Sequence, residues 1–245
     1  MEKNSISVII PCFNEGRRIY ENIQKIKKYL ENNFETFEII AVNDGSLDNT
    51  GEELKRLQSD LFIEVIVHKK NRGKGQAVKD GFLASQNEVV MFLDADLAIP
   101  IEELGKFFEE IKGGYQIVIA SRFVPGLKIV RPVLWYRRIL EKVYRILRII
   151  IIDARNVKDT QCGFKVFTRR AMLDIFPYLT VERFAFDSEV IFLAKKRRYE
   201  IKELPITLQN PTVSSIRIYS DSVNMFLDLL RIRKNDILGK YNLKI

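Results

Sequence analysis

Residues 88–96, Glu88-Val89-Val90-Met91-Phe92-Leu93-Asp94-Ala95-Asp96, decide how the rest of the chain reads. An apolar, partly β-branched run that gives way at once to a short acidic turn describes a buried strand ending where two carboxylates begin. Working outward, the same form recurs along the first half. Ser5 to Ile10 runs into Pro11-Cys12-Phe13-Asn14-Glu15, and Phe37 to Val42 into Asn43-Asp44-Gly45-Ser46-Leu47-Asp48. Phe62 to His68 runs towards Asn71-Arg72-Gly73-Lys74-Gly75, and Gln116 to Ser121 into Arg122-Phe123. Between these strands Ile19, Ile23, Ile26 and Leu30, then Leu54 and Leu57, recur at helical spacing. The alternation predicts parallel strands joined by crossover helices: an α/β fold with a doubly wound, mostly parallel sheet and helices on both faces. In such sheets ligands gather outside the carboxyl ends of the strands, so the five polar ends predict one site.

The second half is less regular. A basic amphipathic stretch from Pro132 to Ile152 precedes a polar turn at Asp159 to Gly163, a helix near Asp187 to Lys196, a strand near Ile201 to Leu208 and a last helix from about Asp221. No repeat or Gly/Ser linker divides it, so a single domain over 1–245 is expected, with halves 1–125 and 126–245. At 47% hydrophobic and 29% charged, the chain has the balance of a globular protein with a real core. Its net charge of +8 calls for an anionic partner: a phosphate-bearing substrate, an acidic lipid or a nucleic acid. The acidic strand ends would repel a nucleic-acid backbone, which sets the last aside. Two cysteines, Cys12 and Cys162, form no disulfide framework, and a reducing, cytosolic setting is expected. The Ile146 to Ile152 run is interrupted by Arg148 and falls well short of the roughly 20 apolar residues of a spanning helix.

Asp94 and Asp96, at i and i+2 after a strand, can approach one cation, and carboxylates with phosphates suit Mg²⁺ or Mn²⁺. Such an ion stabilises the charge that develops on a departing nucleotide diphosphate. Asp44 offers a carboxylate to a base or ribose edge, whereas Asp48 reads as an Asx-turn at a helix start. Asn71 to Gly75 resembles a phosphate cradle, with glycines, a helix N-terminus and Lys74, but lacks the spacing of a P-loop, and taken alone it reads first as a glycine turn opening a helix. His68, the single histidine, reads as structural.

Together, Val8-Ile9-Ile10-Pro11-Cys12-Phe13-Asn14-Glu15, Asn43 to Thr50, Asn71 to Ala77 and Asp94-Ala95-Asp96 resemble the family 2 glycosyltransferases of the GT-A fold. Ala120-Ser121-Arg122, Lys158-Asp159-Thr160-Gln161-Cys162-Gly163-Phe164-Lys165 and Phe186-Asp187-Ser188-Glu189 are similar to the dolichyl-phosphate β-glucosyltransferases within it. The resemblance implies an inverting transfer of a hexose, glucose from UDP-glucose, onto dolichyl or polyprenyl phosphate. Mannose from GDP-mannose and a soluble saccharide acceptor remain the alternatives. It implies that Glu15 and Asp44 hold the nucleoside, with Pro11 and Lys74 also substrate-binding, that Asp94 lies beside the ribose and metal, and that Asp96 ligates the metal. Arg122, Arg131 and Gln161 would face the acceptor phosphate, and Asp187 and Glu189 the sugar. Where the family often has Gly-Ser-Lys before its last helix, this chain has Val213-Ser214-Ser215, with Arg217 the nearest cation. A phosphate acceptor is already ionised near neutral pH and needs cations rather than a general base. The cations and apolar residues of the Trp135 to Arg148 stretch suit either a helix lying in a membrane interface or a core-facing helix with a solvated basic side; the first carries the expectation of peripheral attachment to the cytoplasmic face.

Overall fold

Alternate residues of each strand face opposite sides of one sheet, and both sides are apolar. The structure is a computed structural model that describes residues 4–61, 63–129, 135–209 and 218–242. In chain order its elements are β1 (Ser5–Cys12), α1 (Ile19–Asn33), β2 (Thr36–Asn43), α2 (Thr50–Leu61), β3 (Glu64–Val67) and α3 (Lys74–Ala84). There follow β4 (Val89–Leu93), α4 (Leu104–Lys112), β5 (Ile117–Ser121), β6 (Lys128–Ile129), α5 (Trp135–Ile152) and β7 (Phe164–Thr168). The chain closes with α6 (Arg169–Ile175), α7 (Phe186–Lys196), β8 (Ile201–Pro205), β9 (Thr207–Leu208) and α8 (Ile218–Ile237).

Seven strands form one sheet in the order β3-β2-β1-β4-β7-β5-β8, while β6 and β9 make a separate two-stranded ribbon. All pairings in the large sheet are parallel except those of β7, which runs antiparallel between β4 and β5. Val8, Ile10, Ala41, Met91, Leu93 and Val118 pack on one face beneath Ile23, Leu54 and Phe107 of α1, α2 and α4. Ile9, Val42, Phe92, Ile117 and Phe167 pack on the other beneath Phe82 of α3, Met172 of α6 and Val190 of α7. The doubly wound, mostly parallel sheet with helices on both faces is therefore present as expected.

The differences have local causes. The sequence reading contains no strand at β7, because the polar turn before it and Lys165 within it break the apolar pattern; Lys165 is nevertheless fully buried. α4 and α6, at 9 and 7 residues, are too short for a strong helical period. The single strand expected over Ile201 to Leu208 is divided: β8 ends at Pro205, and Thr207 and Leu208 turn away to pair with β6. The third strand starts at Glu64 and the last helix at Ile218, against expected starts at Phe62 and Asp221. Phe62 itself lies outside the described residues.

Candidate active site

The loops after β1 and β2 are tied to each other. Asn14 donates its N–H to the Ser46 hydroxyl at 3.1 Å, and its side-chain oxygen accepts from Leu47 N at 2.9 Å. Glu15 N–H donates to Thr50 Oγ1 at 2.8 Å, and Gly16 N–H to Asp48 Oδ2 at 3.1 Å. Asp48 also accepts from Thr50 N at 3.0 Å, the Asx-turn read from sequence. Pro11 sits opposite Val42 near the end of β1, and the Glu15 carboxylate is engaged by Arg18 at the mouth of the loop.

Asp44, 2% exposed, braces the next loop. One of its oxygens accepts from Arg72 N at 2.8 Å and the other from Gly73 N at 2.7 Å. These bonds fix the turn from which α3 starts. Gly73 has φ +106°, and a Cβ there would lie 2.5 Å from the Glu182 carbonyl oxygen, so this tight turn requires glycine. His68 bridges two carboxylates, with Nδ1 2.7 Å from Asp44 Oδ1 and Nε2 3.0 Å from Asp80 Oδ2. It thereby connects the end of β3 to α3. One N–H satisfies one of these contacts; the doubly protonated ring satisfies both.

At the end of β4, Asp94 N–H donates to Gly163 O at 3.1 Å, and its carboxylate lies so close to Gly163 that a Cβ there would be 2.0 Å from Oδ2. Lys74, the first residue of α3, reaches Asp94 Oδ1 at 2.5 Å. Burial disfavours the charge on Lys74, but Asp94 and Asp187 outweigh it and hold the ammonium above its ordinary pKa. Asp96 turns the chain by accepting from Ala98 N at 3.0 Å. Among the described residues no group of three or more His, Cys, Asp and Glu side chains is assembled to hold a metal. Asp94 and Asp96 fit an ion of the Mg²⁺ kind, which takes one or two carboxylates and completes its shell with water and substrate phosphates.

Beyond β7, the site is built from ion pairs. Arg122, just past β5, donates from Nε to Asp159 Oδ2 at 2.7 Å, from Nη2 to Asp159 Oδ1 at 3.0 Å and from Nη1 to Glu141 at 2.7 Å. Burial would raise the Asp159 pKa, but the Arg122 charge and hydrogen bonds carry it below the ordinary range. Glu203 of β8 braces the same turn, accepting from Lys158 N at 2.8 Å and Asp159 N at 3.0 Å. Gln161 donates to Ser188 Oγ at 3.3 Å.

Asp187 is buried and paired with Lys165, which also donates to Cys162 O at 2.6 Å; burial holds the Asp187 carboxyl above its ordinary pKa against the pull of Lys165. Glu189 has no exposure and accepts from Thr180 N, Val181 N, Thr180 Oγ1 and Tyr241 Oη, so it fastens the 180–181 segment and the chain after α8 onto α7. Both carboxylates stand behind the strand ends. Arg131, Arg217 and Val213-Ser214-Ser215 lie outside the described residues. Glu141, Asp159 and Lys165 are absent from the sequence-derived site. A lysine inside the apolar run Phe164-Lys165-Val166-Phe167 is the signal that a buried counter-charge exists.

A mostly parallel sheet whose strand ends carry a paired carboxylate, a glycine turn and a lysine is the GT-A arrangement of a glycosyltransferase. The chain superposes with a TM-score of 0.68 and 15% identity on glucosyl-3-phosphoglycerate synthase from Mycobacterium tuberculosis, solved with Mn²⁺, UDP and phosphoglyceric acid; the match covers 99% of this chain and 80% of that one. Residues 7–176 match the family description "Glycosyl transferase family 2", and the chain belongs to that family. It is 32% identical over 265 residues to dolichyl-phosphate beta-glucosyltransferase of Saccharomyces cerevisiae, covering 98% of this chain and 77% of that protein. To a dolichyl-phosphate beta-glucosyltransferase of Trichomonas vaginalis it is 36% identical over 237 residues, covering 91% and 69%.

Proposed function

We propose that the protein transfers glucose from UDP-glucose to the phosphate of dolichyl or another polyprenyl phosphate at a membrane surface. The observation that carries the reading is the gathering of carboxylates and cations at the ends of neighbouring strands of one sheet. Carboxylates stand at the ends of β2 and β4, and cations gather past β5 and along α5, while the similarity to dolichyl-phosphate beta-glucosyltransferases supplies the substrate classes.

On the donor side, Pro11, Glu15 and Asp44 shape the pocket for the nucleoside, Asp44 through the turn it braces. Asp96 and Asp94 would hold a Mg²⁺ or Mn²⁺, which would supply electrostatic stabilisation to the leaving diphosphate. Lys74, paired with Asp94, would meet the donor phosphates. An acceptor phosphate oxygen attacks the anomeric carbon as the bond to the diphosphate breaks, giving a β-linked product. Arg122 and Gln161 orient that phosphate, and Arg131 and Arg217 are further candidates for the same anion. Arginine suits the task because its planar fork pairs with phosphate oxygens. Asp187 and Glu189 act as positioning residues, holding Lys165 and the 180–181 segment behind the site.

The membrane reading rests on two neighbouring helices. α5 exposes Leu140, Val143, Ile146 and Ile150, and α8, packed beside it, exposes Phe226, Leu227 and Leu230. Lys142, Arg231, Arg233 and Lys234 are exposed on the same two helices. No helix among the described residues is long and apolar enough to cross a membrane. Apolar side chains edged by cations suit the interface of an anionic leaflet, on its cytoplasmic side, with each cation contributing about 1 kcal/mol.

The test supplies purified protein with UDP-glucose, dolichyl phosphate and Mg²⁺ or Mn²⁺, with GDP-mannose in a parallel arm. A glucolipid extracted into organic solvent is expected, and Asp96→Ala should lower its formation by at least about 100-fold with the melting temperature unchanged. An α-linked or water-soluble product, or full turnover by Asp96→Ala, would refute the reading.

A further inference from the structure

Between α5, the end of β5 and the 158–161 turn lies a cleft open to solvent. Four cations line it, Arg122, Arg145, Arg148 and Lys158, against two carboxylates, Glu141 and Asp159. The deepest of the cations is Arg148, which is 2% exposed. Its Nη2 donates to Lys158 O at 3.1 Å, but Nη1, also buried, has no hydrogen-bond partner among the described residues. Among the described residues no carboxylate is ion-paired with it. Burial pulls its pKa below the usual arginine value, and Arg145 adds to the effect. A buried guanidinium left part-satisfied is costly, and in a cleft wall it is a ready donor to an entering anion.

The two carboxylates are not equivalent. Asp159 is bound by two parallel bonds to Arg122, and its side chain is 1% exposed. Glu141 holds Arg122 through Nη1 alone and is 32% exposed. Of the two, Glu141 is the one that an arriving anion can displace. Phe123 separates the flanking cations, with the Arg122 and Arg145 guanidinium carbons 5.7 and 5.4 Å from its ring centroid.

We propose that this cleft seats a phosphate monoester, the headgroup of the lipid acceptor, with Arg148 as its floor and Glu141 as the placeholder that the phosphate displaces from Arg122. A dianionic phosphate offsets the excess of two cations. Glu141, Arg145 and Arg148 sit at i, i+4 and i+7 of α5 and share one face, while Leu140, Val143 and Ile150 are exposed on the same helix. The assignment rests on the lipid-phosphate reading above.

The test measures binding of citronellyl phosphate, a water-soluble isoprenyl phosphate, and of inorganic phosphate to the full chain by calorimetry, alongside steady-state kinetics with dolichyl phosphate. Arg148→Gln should weaken citronellyl phosphate binding and raise KM for dolichyl phosphate by about tenfold or more, leaving KM for UDP-glucose unchanged. Glu141→Gln should shift both in the opposite direction, tightening binding severalfold, a sign that a merely structural glutamate would not give. If Arg148→Gln fails to fold, Glu141→Gln still decides. Weaker or unchanged binding by Glu141→Gln overturns the proposal, and inorganic phosphate binding as tightly as citronellyl phosphate overturns the lipid assignment. Arg148-dependent binding without glucolipid formation would refute the function while supporting the cleft. Glucolipid formation indifferent to both substitutions would do the reverse.

Discussion

Asp44 and Asp159 are both buried carboxylates beside the ends of sheet strands, yet they are satisfied in different ways. Asp44 accepts from the backbone N–H groups of Arg72 and Gly73 and from His68. Asp159 is held chiefly by the guanidinium of Arg122, 37 residues away. The proposed donor side is thus shaped by turn chemistry, in which a carboxylate fixes a loop and a glycine lets the chain bend. The proposed acceptor side is shaped by side-chain ion pairs between distant segments. Backbone turns give a fixed socket. Ion pairs give a surface in which an incoming anion can exchange with a resident carboxylate.

Breaking the acceptor side should cost the most stability. Asp159→Asn leaves Arg122 buried with only Glu141, and a loss of about 3 kcal/mol is expected in denaturant unfolding at neutral pH. Because the folded-state pKa of Asp159 is depressed, its contribution is complete above about pH 4 and is lost as pH falls through the folded value. The stability gap between wild type and Asp159→Asn should therefore close in acid; a gap that widened there would contradict the assignment.

On the donor side, Gly73→Ala should cost about 2 kcal/mol, through its positive φ and the contact with Glu182 O. Its kinetic signature should be a raised KM for the nucleotide sugar with KM for the lipid phosphate unmoved, which sharpens the contrast with Arg148→Gln. The smallest effect belongs to Tyr241→Phe, which removes one donor from Glu189 but leaves the backbone bonds to that carboxylate intact. About 1 kcal/mol, or a fall of about 3 °C in melting temperature, is expected by calorimetry.

The same contrast explains what the sequence reveals. Asp44, Asp48, Lys74, Asp94 and Asp96 are legible because each lies in a short motif at a strand end, where turn residues and carboxylates mark both structure and chemistry. The helices α1 and α2 are legible from the spacing of Ile19, Ile23, Ile26, Leu30, Leu54 and Leu57. Arg122 is visible as a cation at a strand end, but its partners Asp159 and Glu141 are not, since pairing across 37 and 19 residues leaves no periodic trace. Asp187 and Glu189 stand in a recognisable motif, yet only the fold shows them turned inwards onto Lys165 and Tyr241. β7 escapes notice for a related reason: Lys165 looks like a surface residue until its counter-charge arrives from α7.

The position of β7 sets the order in which the molecule can be completed. β4 and β5 are synthesised first but must remain one strand apart, because β7 enters between them and runs the other way. Until residues 164–168 emerge, β4 lacks a neighbour on that side; β5 has none in the sheet, since its partners β7 and β8 both follow it. Direct β4–β5 pairing is a tempting wrong register for the nascent chain, and the long loop closure needed to avoid it slows folding. A polypeptide cut near residue 125 would retain every nucleotide-side motif and still be unable to close its own sheet.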